Sequence, residues 1–161
     1  TNSMIQFTAD HNRNGVLVSP GPPPDNDAHE NITFSLRPES DPDGDGIATV
    51  FPSELRRSSW GVPSPLAENV EILNFVYLDA ENKVIATPVS SDDLARIRSI
   101  QVFIVVRSDQ EDRHYRDTST YTNLLYDRDH TEAQALKWGP PNDGYRRRVL
   151  KTTVKCRNAG I

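Results

Sequence analysis

Sulfur is almost missing from this sequence: one cysteine and one methionine in 161 residues. Cys156 alone cannot close an intrachain disulfide or build a multi-cysteine metal centre. It lies on a strand-like segment with no histidine near it in sequence, so it reads as a buried thiol acting as a small apolar residue. Aromatics are scarce, at 7%. Long apolar runs are missing too. The longest, Ile100 to Val106, is interrupted by Gln101 and falls far short of a bilayer span. Positive charge is the minority sign: the formal net charge is −5 and the pI about 5.3, a poor match to nucleic-acid binding. Nothing matches GxSxG, a Walker A loop, GxGxxG or HExxH. No catalytic residue is assigned.

What is present is a chain long enough for one domain with a real core. Twelve prolines fit a loop-rich fold of short strands better than a helical bundle. Met4 to Ala9 alternates apolar and polar residues as a half-buried strand does. Val16–Val18 is the expected second arm of its hairpin. A proline-rich polar loop, 19–30, leads to a strand over Asn31–Arg37. Further strands are expected at Ala48–Ser58, broken at Pro52, and at Glu68–Asp79. The segment between them, 60–67, reads as a turn-rich connection. Glu68–Asp79 carries Val70, Ile72, Val76 and Leu78 on one face and Leu73, Phe75 and Tyr77 on the other, the pattern of a central strand. Val84–Ala86 follows a tight turn, and Ser91–Leu94 reads as a cap with one helical turn. Ile97–Arg107 is the most apolar strand.

Residues 108–144 read as a long, irregular polar loop, either functional or a surface excursion, with a short helix expected over 131–138. The last strand is placed at 145–158, with Leu150, Thr152, Val154 and Cys156 facing inward and Arg147, Lys151, Lys155 and Arg157 outward. The sum is a mainly β chain: a single domain over 1–161, with antiparallel sheets and long loops.

Two acidic turns carry the chemistry. DPDGDGI places Asp41, Asp43 and Asp45 at alternate positions before Gly46. That spacing aims carboxylates at one point, as a calcium loop requires. The match to an EF-hand stops halfway. The twelfth position, where a bidentate Glu belongs, is Pro52; Glu54 comes two residues late, and the flanks read as strands. A calcium site of another kind is the remaining metal reading, against a plain polar turn rich in Asp and Gly. DHNRNG offers a weaker echo with Asp10, Asn12 and Asn14. His11, His29, His114 and His130 form no metal-spaced pair and read as surface residues. Arg56-Arg57 and Arg146-Arg147-Arg148 read as ion-pairing partners for an acidic chain rather than as a nucleic-acid patch.

Three stretches together, PLAENVEILNFVYLD (65–79), LARIRSIQVFIVVRS (94–108) and GYRRRVLKTTVKCRN (144–158), with ADHNRNG followed by NITFSLR, resemble the periplasmic part of the PilW-like minor pilins of type IV pili. That family is akin to the J-type minor pseudopilin of type II secretion. The resemblance implies a pilin-like head of two packed antiparallel sheets, α+β overall once a long N-terminal helix is counted. Prepilin-type proteins carry that apolar helix, with a processing-site Gly and a Glu five residues into the mature chain. Thr1 enters a strand almost at once, so the expectation is a soluble head separated from its helix. The implied role is non-catalytic: helping to initiate assembly of a pilus, or of a secretion pseudopilus, or sitting at its tip. The implied partners are other minor pilins or pseudopilins and the major pilin, with the inner membrane reached through the helix. The implied location is the periplasmic side of the inner membrane, then the pilus or cell surface. No cofactor is required by this reading; calcium is the one candidate. The alternative is a calcium-dependent surface adhesion or ligand-binding module.

Overall fold

The computed structural model describes residues 3–8, 31–59 and 62–156. They form β1 (Met4–Thr8), β2 (Asn31–Leu36), β3 (Glu54–Ser59), β4 (Val62–Glu68), β5 (Val70–Leu78), β6 (Val84–Ile85), α1 (Ser91–Leu94), β7 (Ser99–Arg107), β8 (Tyr121–Thr122), α2 (Leu124–Arg128), β9 (Lys137–Trp138) and β10 (Arg147–Lys155). The mainly β reading holds, and all sheets are antiparallel. One sheet, here sheet A, runs β1-β2-β3-β4; a second, sheet B, runs β10-β7-β5-β6; β8 and β9 make a small ribbon. The expected hairpin arm Val16–Val18 and the turn at Asp10–Gly15 lie outside the described residues.

β5 is the centre of the molecule. All nine of its residues are buried, as expected of a strand covered on both faces. Its face assignment differs at one residue. A bulge between Val70 and Ile72 slips the register, so Val70 pairs with Val106 while Ile72 pairs with Val105. The extra residue turns Val70 onto the face of Leu73, Phe75 and Tyr77. That face joins Leu36, Ala48, Ile85 and Ile97 in the main core, against which Ile5, Phe34 and Leu55 of sheet A pack. The opposite face buries Ile72, Phe103 and Val105 under Tyr121, Leu136 and Trp138, and Val76 and Leu78 under Leu125. Residues 108–144 supply that cover, so this polar segment is the roof of sheet B.

Three further expectations are corrected. Residues 62–68 form a strand despite Pro63 and Pro65. β4 is the edge of sheet A, and two prolines at alternate positions can both turn their missing donor to the open side. The strand expected from Ala48 starts only at Glu54, because residues 47–50 bond elsewhere: Ile47 bridges Ile72, the Ala48 N–H reaches the Glu71 carbonyl at 2.7 Å, and the Thr49 N–H reaches Ser40 at 2.8 Å. The helix of the roof lies at Leu124–Arg128, not at 131–138. Asn123 caps it, accepting from the Tyr126 N–H at 2.8 Å, and Leu125 anchors it fully buried. Lys137 and Trp138 are held as a strand by pairing with Thr122 and Tyr121.

Candidate functional site

The DPDGDGI loop connects β2 to β3 and crosses to the second sheet. The Leu73 N–H donates to the Gly46 carbonyl at 2.9 Å, and Ser3 Oγ donates to the Gly44 carbonyl at 2.8 Å. Gly46 has φ +91°, and a Cβ there would sit 2.4 Å from the Leu73 carbonyl oxygen. Only glycine allows both the turn and the contact.

The three aspartates converge. One carboxylate oxygen from each of Asp41, Asp43 and Asp45 lies within 4.8 Å of the others. Each side chain also steadies the loop. Asp41 Oδ2 accepts from Gly46 N–H at 3.1 Å, Asp43 Oδ1 from Asp45 N–H at 3.4 Å, and Asp45 Oδ1 from Ile47 N–H at 2.7 Å. Asp43 and Asp45 are exposed, while Asp41 is only 7% exposed and its Oδ1 is buried without a hydrogen-bond partner. Burial pushes the Asp41 carboxyl above its ordinary pKa. The Asp43 and Asp45 carboxylates push the same way, against the Gly46 N–H bond. The strand flanks exclude an EF-hand, in line with the failed match at Pro52. Asp10, Asn12 and Asn14 lie outside the described residues. Beside Asp45 an open groove runs along Asn74 and residues 133–137.

A second charged centre was not expected from the pattern of β10. Arg147, expected to face solvent, has its side chain fully buried under the roof. Its guanidinium donates to both oxygens of Glu71, both oxygens of Asp143 and one of Asp117. It also donates to the Tyr145 carbonyl, and lies 5.3 Å from the centre of the Trp138 ring. Tyr121 donates its hydroxyl to Asp117. Burial opposes ionisation of Asp117, yet the bonds from Tyr121, Ser119 and Arg147 outweigh it and hold its carboxyl below the ordinary range. The bonds from Arg147 likewise depress Asp143. Burial works against the Arg147 charge, but its carboxylate partners outweigh it and raise its pKa. The arrangement ties β5, β10 and the roof together. The one legible signal for it was Glu71 standing alone in the apolar run of β5.

The other face of β10 is corrected as well. Leu150, Thr152 and Val154 are exposed, Leu150 by 53% and Val154 by 51%. They stand opposite Ile104, Val102 and Ile100 of β7. Among the described residues sheet A meets sheet B chiefly through β5, which leaves Ile100, Val102 and Ile104 of β7 part-buried against the main core and Leu150 and Val154 of β10 exposed. Cys156, just past the strand, is partly buried against the main core, and burial raises its thiol pKa. His114 and His130 are exposed, as expected. Arg56 pairs with Glu54 at 2.8 Å and Arg146 with Asp112 at 2.7 Å, in keeping with the ion-pair reading of the basic clusters.

No helix among the described residues is long and apolar enough to cross a membrane. No curated protein and no solved structure matches the chain. The family model described as PilW, type IV pilus-assembly protein W, matches residues 42–158. The match runs from the acidic loop through β5, the roof and β10, well over half of the sequence, and the chain belongs to the PilW family of type IV pilus-assembly proteins.

Proposed function

We propose that the chain is the head of a minor pilin, a non-catalytic subunit that helps initiate pilus assembly or sits at the pilus tip. Membership of a pilus-assembly family supports a role in the cell envelope and contact with other pilus components. The observation that carries the finer reading is the open strip on sheet B. Ile100, Val102 and Ile104 are only partly buried, and Leu150 and Val154 beside them are more than half exposed. Such a strip, continuous with the main core, suits the apolar flank of a pilin-type helix laid across the sheet. The outer edge of β10 carries nine residues hydrogen-bonded on one side by β7. It offers a partner pilin or pseudopilin an edge for strand addition. Residence on the periplasmic side of the inner membrane, and later on the pilus, follows from this reading.

The test is a Leu150→Asp/Val154→Asp variant of the full-length protein in its own cells. Both positions are surface-exposed, so the isolated head should keep its stability to within about 0.5 kcal/mol. Piliation and co-purification with the other minor pilins should be lost. Normal pili carrying the variant would refute the helix-packing assignment. A second reading, a calcium-dependent surface adhesion module, draws on the groove beside Asp45. It predicts chelator-sensitive attachment of cells whose pili assemble normally.

A further inference from the structure

We propose that Asp41, Asp43 and Asp45 form a calcium site that fastens the β2–β3 loop to sheet B. Two independent observations carry it. The first is convergence: three carboxylate oxygens lie within 4.8 Å of one another. That is close enough for one ion to reach all three at calcium–oxygen distances of roughly 2.4 Å. Calcium is preferred to magnesium because it accepts irregular, flexible oxygen sets, whereas magnesium demands a near-ideal octahedron at about 2.1 Å.

The second is the state of Asp41. It is 93% buried, and its Oδ1 meets no donor among the described residues. Buried carboxylate oxygens are ordinarily hydrogen-bonded, and an orphan beside two more carboxylates calls for a cation. Among the described residues no histidine or cysteine joins the cluster. An all-oxygen set favours a hard cation over zinc.

Each aspartate holds a loop N–H with one oxygen, so its other oxygen is available to the ion. Backbone carbonyls and water would complete the six to eight ligands calcium takes. The consequence reaches past the loop. Residues 46–48 are bonded to Glu71, Ile72 and Leu73 of β5, and Gly44 is bonded to Ser3 beside β1. A bound ion therefore stiffens the junction between the two sheets.

The experiment uses the 161-residue chain with calcium chloride, magnesium chloride or a chelator. Calorimetric titration should show one calcium per chain. At a hundredfold excess over Kd, calcium should raise Tm by roughly 5–10 °C. Asp43→Asn/Asp45→Asn keeps the loop's acceptors while removing two charges, and should weaken Kd by at least about tenfold. No calcium-dependent rise in Tm would overturn the proposal. So would an equal rise in the double variant, or an equal rise with magnesium. The readout needs no pilus, so its failure is separate from failure of the minor-pilin reading.

Discussion

Replacing Arg147 with Met should be the most damaging single change in the described residues. The side chain is fully buried, as is Asp117, and Glu71 is 5% exposed. Methionine fills much of the volume but leaves those carboxylates without their cation. Removing one partner of a buried ion pair costs about 3–5 kcal/mol. A domain of this kind holds only about 5–15 kcal/mol in total. At roughly 2–4 °C per kcal/mol for a chain of this size, Tm should fall by roughly 6–20 °C. Urea unfolding at pH 7, followed by Trp138 fluorescence beside the site, measures the loss.

The pH dependence gives a sharper check. In the native protein Asp117 and Asp143 have depressed pKa values. Their stabilising contribution is present above the unfolded carboxylate pKa of about 3.9, and is lost as pH falls below it through the folded values. In the variant the buried carboxylates prefer to be neutral, so their folded pKa values rise above the unfolded ones. Their penalty is full at pH 7 and relaxes as they protonate. The gap between native and variant stability should therefore be widest near neutrality and narrow toward pH 4. A variant within about 1 kcal/mol of native at pH 7, or a gap independent of pH, would refute the assignment of Arg147 as the buried counter-ion.

Gly46→Ala should destabilise by about 1–3 kcal/mol, from the positive φ and the 2.4 Å approach to the Leu73 carbonyl, read as a shift in urea midpoint. Asn123→Ala should cost about 1–3 kcal/mol and loosen the roof first. Asn123 accepts from Tyr126 and Leu136 and donates to Asn74 and Gln134, so hydrogen exchange should speed up across 121–138 while β5 and β7 stay protected. Uniform acceleration across the whole chain would count against a roof held by this one side chain.

The strands of both sheets were readable wherever periodicity spoke clearly. Continuous apolar character marked β5 and β7, and alternation marked β1 and β2. The alternate aspartates before a glycine marked the acidic loop, because that geometry is local and lies within six residues. β4 was missed because two prolines argue against a strand unless it is known to be an edge, and edges are a property of the sheet. α2 was misplaced because its cap depends on Asn123 reaching Asn74, 49 residues away. β10 was misread at Arg147, Leu150, Thr152 and Val154 for a similar reason, while Lys155 is exposed as expected. Alternation in RRVLKTTVK separates two faces without saying which is covered. Residues 108–144 cover the Arg147 end of one face, while Val149 on that face and Leu150 and Val154 on the other stay exposed. Local sequence thus determined which residues share a strand face and which carboxylates share a turn. The tertiary structure decided which face is buried, since burial depends on what distant chain is laid over it. That choice turned an expected surface arginine into the counter-ion at the centre of the fold.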